Sequence, residues 1–200
     1  MKSIKKIQKN INEKGFTLIE TLVAISILLV SIVGPMEIAS KGLFSAYYAR
    51  DEITAYYLAQ EGLEYIRNAR DTTYIHNVKL GLTDEWTTGL DSCIDESGCK
   101  IKVDEPFYLL NGINTEAVTS CDITNGCGKL KFDETSGFFS YSSGVESKFS
   151  RKIKIELKDN TESNEEAVVT VTISWNTGTF FSSEKTFVLK ERLFNWQKIN

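Results

Sequence analysis

The stretch that decides the fold is KGFTLIETLVAISILLVSIVGPM, residues 14–36. It contains no charged residue from Leu22 to Met36, and Glu20 is the one charged side chain between Phe16 and Met36. A helix over these 21 residues would rise by about 30 Å, which matches the hydrocarbon core of a bilayer. The pattern therefore predicts a helix over residues 16–36 that can cross a membrane.

Charge is distributed unevenly around this segment. Residues 1–15 hold five lysines against Glu13, a net charge of +4, so the formal charge of -4 for the whole chain leaves -8 for residues 16–200. Because basic residues next to a membrane span stay in the cytoplasm, residues 1–15 are predicted to be a cytoplasmic leader and residues 42–200 to lie outside.

An ordinary secretory signal also has a basic region followed by an apolar region. A secretory signal fits this sequence poorly, because the apolar region of such a signal requires no carboxylate and Glu20 lies near the start of this one. A carboxylate placed at membrane depth costs roughly 2.5 to 3.5 kcal/mol and is by default a functional group in need of a partner. Glu20 is therefore expected to have a cationic partner.

The residues Lys14-Gly15-Phe16-Thr17-Leu18-Ile19-Glu20 resemble the cleavage and methylation signature of type IV pilins and of type II secretion pseudopilins. The resemblance implies that a prepilin peptidase cuts between Gly15 and Phe16 and methylates the new amine of Phe16. It further implies that Glu20 pairs with the amine of a neighbouring subunit and sets the register between subunits. The implied partners are the peptidase, other pilin subunits and an assembly platform in the inner membrane.

The helix is expected to continue beyond the apolar segment, over residues 37–71. Gly34 and Pro35 predict a kink, because proline removes a backbone donor and clashes with the preceding turn. Beyond it, small and aliphatic residues recur at the spacing of one helical face: Ala55, Leu58, Ala59, Gly62, Ile66 and Ala69. Residues 37–71 are therefore predicted to form an amphipathic helix. Its tyrosines are predicted to be mostly core or membrane-interface residues, with some available for filament contacts.

Residues 72–200 are predicted to form a globular head rich in β-structure. Apolar and polar side chains alternate with period two in Arg151–Lys158 and Ala167–Trp175, which predicts an antiparallel hairpin, and Lys185–Leu193 predicts a third strand. An open sheet of this kind needs a cover, and the amphipathic helix can supply it. The predicted fold class is α+β, with a long N-terminal helix packed on an antiparallel sheet.

The chain has four cysteines, which form two C-x5-C pairs in a short internal repeat: Cys93 with Cys99, and Cys121 with Cys127. Zinc sites usually show closer spacing and additional ligands, so no metal site is predicted. In an exported head the cysteines predict two disulfides, and the even spacing favours pairing within each repeat over the two crossed pairings.

Composition and motifs also restrict the function. We find no nucleophile, metal or phosphate-binding motif, and the single histidine, His76, cannot support catalysis alone, so no enzyme activity and no cofactor are predicted. Calcium ligation by Asp91, Asp95 and Glu96 is a weaker expectation than a solvated acidic loop. The basic residues of 148–158 are predicted to be the outer face of a strand, so no nucleic-acid binding is expected.

Two functions from different classes remain. The first is a structural subunit of a type IV pilus or type II secretion pseudopilus, expected to be minor rather than major. It would start as a single-pass protein of the inner membrane and end on the cell surface. The second is a monomeric membrane-anchored surface domain that keeps its N-terminus uncleaved.

Overall fold

The computed structural model describes residues 15–109, 112–158, 166–177 and 183–195. The predicted leader covers residues 1–15, of which only Gly15 is among the described residues. A single long helix, α1, spans Leu18–Leu80. Thr17 caps its start, because the backbone N–H of Glu20 meets the Thr17 hydroxyl at 3.3 Å and the Thr17 carbonyl at 3.1 Å.

The chain divides into two compact units, Met1–Tyr47 and Tyr48–Asn200. In the first unit, α1 is exposed at every position from Leu18 to Tyr47. The helix continues through Pro35. The kink predicted at Gly34 and Pro35 stays a prediction.

The prediction that the helix ends near Asp71 was wrong, because α1 continues for nine more residues to Leu80. Ala69, Thr73 and Asn77 are buried at successive four-residue steps, so the same face of α1 remains packed beyond Asp71. The helix ends where Gly81 adopts φ +66°, and the backbone N–H of Leu82 donates to the Asn77 carbonyl at 3.0 Å. This glycine-terminated helix end is a Schellman motif.

The second unit contains a short helix and nine strands among the described residues. They are α2 (Asp91–Ile94), β1 (Cys99–Ile101), β2 (Tyr108–Leu109), β3 (Gly112–Ile113), β4 (Val118–Ser120), β5 (Lys129–Phe132), β6 (Phe139–Ser140), β7 (Val145–Lys158), β8 (Glu166–Asn176) and β9 (Glu184–Phe194). Seven of the strands form one antiparallel sheet, while β2 and β3 form a separate hairpin.

The three longest strands of the sheet form the meander β7–β8–β9. Strand β8 pairs with β7 from Phe149↔Trp175 to Lys158↔Glu166, and β9 pairs with β8 over its whole length. The predicted antiparallel hairpin is thus confirmed. Since β8 occupies one side of β7, strands β1 and β5 pair with its other side. Strand β4 pairs only with β1, so β4 and β9 lie at opposite edges of the sheet.

The predicted α+β fold is confirmed, because α1 packs against one face of this sheet. Along β8, every second side chain from Ala167 to Trp175 is buried. Gly62 faces the sheet, since a Cβ there would lie 3.2 Å from Val171 Cγ1 and 3.3 Å from Ile153 Cδ1. The absence of a side chain at Gly62 therefore lets the helix approach the sheet closely.

Candidate functional site

The candidate processing and assembly residues lie where α1 begins. Gly15, Phe16 and Thr17 precede the helix, and the Phe16 side chain is 79% exposed. Glu20 is the acidic residue of the first helical turn, where a carboxylate complements the positive end of the helix dipole. Within the part of the chain that the structure describes, Glu20 has no ion-pair partner.

The first half of α1 exposes an unusually continuous apolar surface. Large aliphatic side chains that are more than half exposed follow one another along it: Leu18, Ile19, Leu22, Val23, Ile25, Ile27, Leu28, Leu29, Val30, Ile32, Val33, Met36 and Ile38. Soluble monomers rarely expose contiguous apolar surface of this extent. The helix is long and apolar enough to cross a membrane. Both properties fit membrane anchoring.

The few polar side chains in this apolar half satisfy their own hydrogen bonds. The hydroxyls of Thr21, Ser26 and Ser31 donate to backbone carbonyls of the preceding turn at 2.8, 2.8 and 2.7 Å. These bonds remove the cost of placing a hydroxyl donor in lipid or in a dry helix bundle. Within residues 16–36, Glu20 is the one ionisable side chain.

The comparisons with known proteins agree with this geometry. Residues 10–34 match the family model described as the prokaryotic N-terminal methylation motif. The chain carries the type IV pilin and pseudopilin signature. No curated protein and no solved structure matches the chain. The match covers 25 of the 200 residues.

Two small disulfide loops lie side by side in the second unit of the chain. Cys93 is bonded to Cys99, and Cys121 to Cys127, with Cα–Cα distances of 4.5 and 4.4 Å. This is the pairing within each repeat that the spacing favoured. The loops adjoin because β1 pairs with β4 in the register Cys99↔Ser120. All four sulfur-bearing side chains are buried.

The second loop is also stiffened by Asp122. Its backbone N–H and carbonyl both pair with Gly126 at 2.9 Å, and its carboxylate accepts from the N–H groups of Thr124 and Asn125 at 2.7 and 2.8 Å. These hydrogen bonds favour the ionised carboxylate, so they hold the pKa of Asp122 below its usual value. Disulfide and carboxylate together fix the loop.

The interpretation of the basic residues in 148–158 as an outer face was wrong for Arg151. The residue lies in the buried register of β7, and its side chain is fully buried against α1. Its guanidinium donates to Glu61 Oε2 at 2.6 Å, to the Leu58 carbonyl at 3.2 Å and to the Ile101 carbonyl at 3.3 Å. The signal available in the sequence was the period-two spacing of Arg151 with Ile153.

The other candidate residues do not form a ligand site. Among described residues, no group of three or more histidine, cysteine, aspartate or glutamate side chains is placed to hold a metal ion. Asp91, Asp95 and Glu96 therefore do not form such a group. His76 stacks on Tyr108 with ring centroids 4.0 Å apart. Tyr56 contacts Phe187 edge-on at 5.9 Å, while Tyr57 is 64% exposed.

Proposed function

We propose that this chain is a minor subunit of a type IV pilus or type II secretion pseudopilus, assembled through the first half of α1. The observation that carries the proposal is the methylation motif at 10–34, which extends into α1 where the large apolar side chains from Leu18 to Ile38 are exposed. In the membrane, lipid would cover these side chains. In a filament, the equivalent helices of other copies would cover them.

In this function a prepilin peptidase removes residues 1–15 and methylates the amine of Phe16. Cleavage creates a cation four residues before Glu20 and removes the five lysines of the leader. Glu20 then pairs with the amine of the next subunit, because opposite charges attract more strongly in a helix bundle of low dielectric constant than in water. Before assembly, the chain spans the inner membrane with residues 42–200 outside.

The N-terminus of the mature protein tests the proposal. Mass spectrometry of the protein purified from its native membrane should find an N-methylated Phe16 as the first residue. In the variant Gly15→Val the peptidase should fail, and the leader should remain attached. A native protein that starts at Met1 would instead indicate the monomeric membrane-anchored domain.

A further inference from the structure

The outer face of the meander β7–β8–β9, which lies opposite α1, carries an excess of positive charge. Residues 48–200 hold 17 lysines and arginines against 24 aspartates and glutamates, a net charge of -7. On the outer face of the three strands the balance is reversed. Between Lys152 and Lys158 of β7 and across to β9, five basic and two acidic side chains share this face: Lys152, Lys154, Lys158, Lys190 and Arg192, with Glu156 and Glu166. This face therefore attracts an anionic partner.

The strand register places these cations on both sides of a row of hydroxyl groups. Lys154 of β7 lies opposite Thr170 of β8, and Thr170 lies opposite Lys190 of β9. Since neighbouring strands are about 4.8 Å apart, the backbones at Lys154 and Lys190 are separated by roughly 10 Å. In the adjacent row, Thr172 lies opposite Lys152. We call this arrangement the basic trough: cations form its two sides, and the hydroxyls of β8 form its floor.

The cations of the basic trough are only partly neutralised by the protein. Lys152 and Lys190 are exposed, and in the described parts of the chain no carboxylate forms a salt bridge with either. The other three share two carboxylates at distances of 3.3 to 3.4 Å: Lys154 with Glu156, and Lys158 and Arg192 with Glu166. Ion pairs between such partly exposed side chains contribute little, so a polyanion can compete for these cations.

Two further features restrict the ligand. Asp95, Glu96 and Asp122 line a cavity together with Lys152, so they repel an anion at that end of the basic trough. A ligand is therefore centred on the row of Lys154. The rows from Lys152 to Glu156 contain no aromatic side chain, so they offer no platform on which a base could stack. The basic trough can recognise the charges of a polymer backbone but not bases.

We propose that the basic trough binds an extended phosphodiester chain through its backbone, with Lys154 and Lys190 on either side and the Thr170 hydroxyl beneath. Lysine binds phosphate as a point charge, whereas the guanidinium fork that suits carboxylates is absent from this central row. Such a backbone occurs in nucleic acids and in surface polymers of polyol phosphate. The inference does not rest on the proposed function, because a single copy of the chain forms the whole site.

Fluorescence polarisation with the full mature chain in detergent micelles tests the proposal. The labelled probes are a short abasic chain of deoxyribose phosphate, a poly(glycerol phosphate) of the same length and an oligothymidylate. Both abasic backbones should bind, and the logarithm of the association constant should fall with the logarithm of salt concentration with a slope of about -2, the value for about three neutralised phosphates. The tighter of the two backbones identifies the source of the polymer.

Two outcomes of this measurement would overturn the proposal. The first is that neither abasic backbone binds above the level of empty micelles. The second is that the oligothymidylate binds about tenfold more tightly than both, because the bases would then be recognised.

Variants test whether the basic trough is the site. Combining Lys154→Gln with Lys190→Gln should lower the affinity by about tenfold, as expected for two exposed ion pairs, and should bring the salt slope to about -0.7. Lys79→Gln removes the same charge from an exposed position in the last turn of α1 and should change neither quantity. Glu156→Gln removes a carboxylate that competes for Lys154, so it should raise the affinity by about twofold to fivefold.

The variants also define when the site is wrong. An affinity of the double variant equal to that of Lys79→Gln, or an unchanged affinity of Glu156→Gln, would place binding outside the basic trough. Neither the processing of the N-terminus nor entry into filaments affects the measurement in micelles. A failure of this inference therefore leaves the proposed function standing, and the reverse also holds.

Discussion

At the scale of single residues, a buried arginine holds the sheet against the helix. Arg151 lies in the core of the head, and its guanidinium binds one carboxylate and two backbone carbonyls. Arg151→Met would leave Glu61 without its cation and the carbonyls without their donor. We expect the free energy of unfolding to fall by about 3 kcal/mol, at the lower end for broken buried pairs because Glu61 is partly exposed.

Urea denaturation of the mature chain in detergent would measure this loss. The control Lys152→Met changes an exposed cation of the same strand and should alter the stability by less than about 0.5 kcal/mol. Adding Glu61→Leu to Arg151→Met should recover part of the loss, because no charge is then left without its partner. A full loss that persists in the double variant would show that packing, and not charge, explains the role of Arg151.

Tyr65 gives the head a dependence on alkaline pH. Its hydroxyl donates to the Glu105 carbonyl at 3.3 Å, and burial together with the charges of Glu105 and Asp104 raises the pKa of Tyr65 to about 12. Because the folded pKa lies above the unfolded value of about 10, the stability from neutral Tyr65 is complete below about pH 10. It is lost as the pH rises from about 10 towards 12.

Comparison with Tyr65→Phe isolates this effect. Between about pH 9 and about pH 11, the native chain should lose more unfolding free energy than the variant, which has no phenol to ionise. Chemical denaturation at the two pH values measures the difference. All four cysteines are disulfide-bonded, so no free thiol of the native fold complicates the alkaline measurement. Equal losses in both proteins would contradict the role given to Tyr65.

At the scale of secondary-structure elements, the end of α1 is determined by tertiary packing and one glycine. Gly81→Ala should destabilise the head by about 1 kcal/mol, because a Cβ disfavours the φ of +66° on which the helix end depends. No other atom lies within 4 Å of that Cβ, so the loss would be conformational rather than steric. Gly42→Ala, within α1 and equally free of contacts, should instead be neutral or slightly stabilising.

Thermal unfolding followed by circular dichroism would compare the two variants. Opposite effects of the same substitution at the two sites would confirm that Gly81 acts through its backbone conformation. A stability for Gly81→Ala equal to that of the native chain would contradict it.

The same helix end shows what the sequence could not predict. Residues 72–79 include threonines, Tyr74, Ile75 and Val78, whose local preference is for strands, and this preference led to the wrong end near Asp71. Buried Thr73 and Asn77 keep the segment helical through contacts that no local pattern reveals. By contrast, β8 was predicted to within one residue at each end, because its alternation directly reflects burial on one face of the sheet.

The candidate site divides in the same way. The signature around Gly15, Phe16 and Glu20 is local in sequence, so it could be recognised from the order of residues alone. The contact between Arg151 and Glu61 joins residues that lie 90 positions apart along the chain. Only the packing of α1 on the sheet brings them together, so no local sequence pattern could have predicted this contact.

At the scale of the whole molecule, the proposed function depends on a single carboxylate in the apolar half of α1. Glu20 lacks an ion pair among the described residues, and its cost in a membrane is roughly 2.5 to 3.5 kcal/mol. Glu20→Ala removes that cost, so the variant should insert in the membrane at least as well as the native chain. It also removes the partner of the Phe16 amine, so we expect its yield in sheared filaments to fall by about tenfold or more, the effect of a lost ion pair in a medium of low dielectric constant.

Fractionation of cells into membrane and sheared filaments measures both quantities in one experiment. Glu37→Ala is the matched control, because it removes a carboxylate from the same helix. The partner of that carboxylate is Lys41, which lies one turn away in the same chain at 2.7 Å. That local pair is exposed and contributes little, so the control should enter filaments normally. If Glu20→Ala and Glu37→Ala gave equal filament yields, Glu20 would have no role in assembly, and its position four residues after Phe16 would require another explanation.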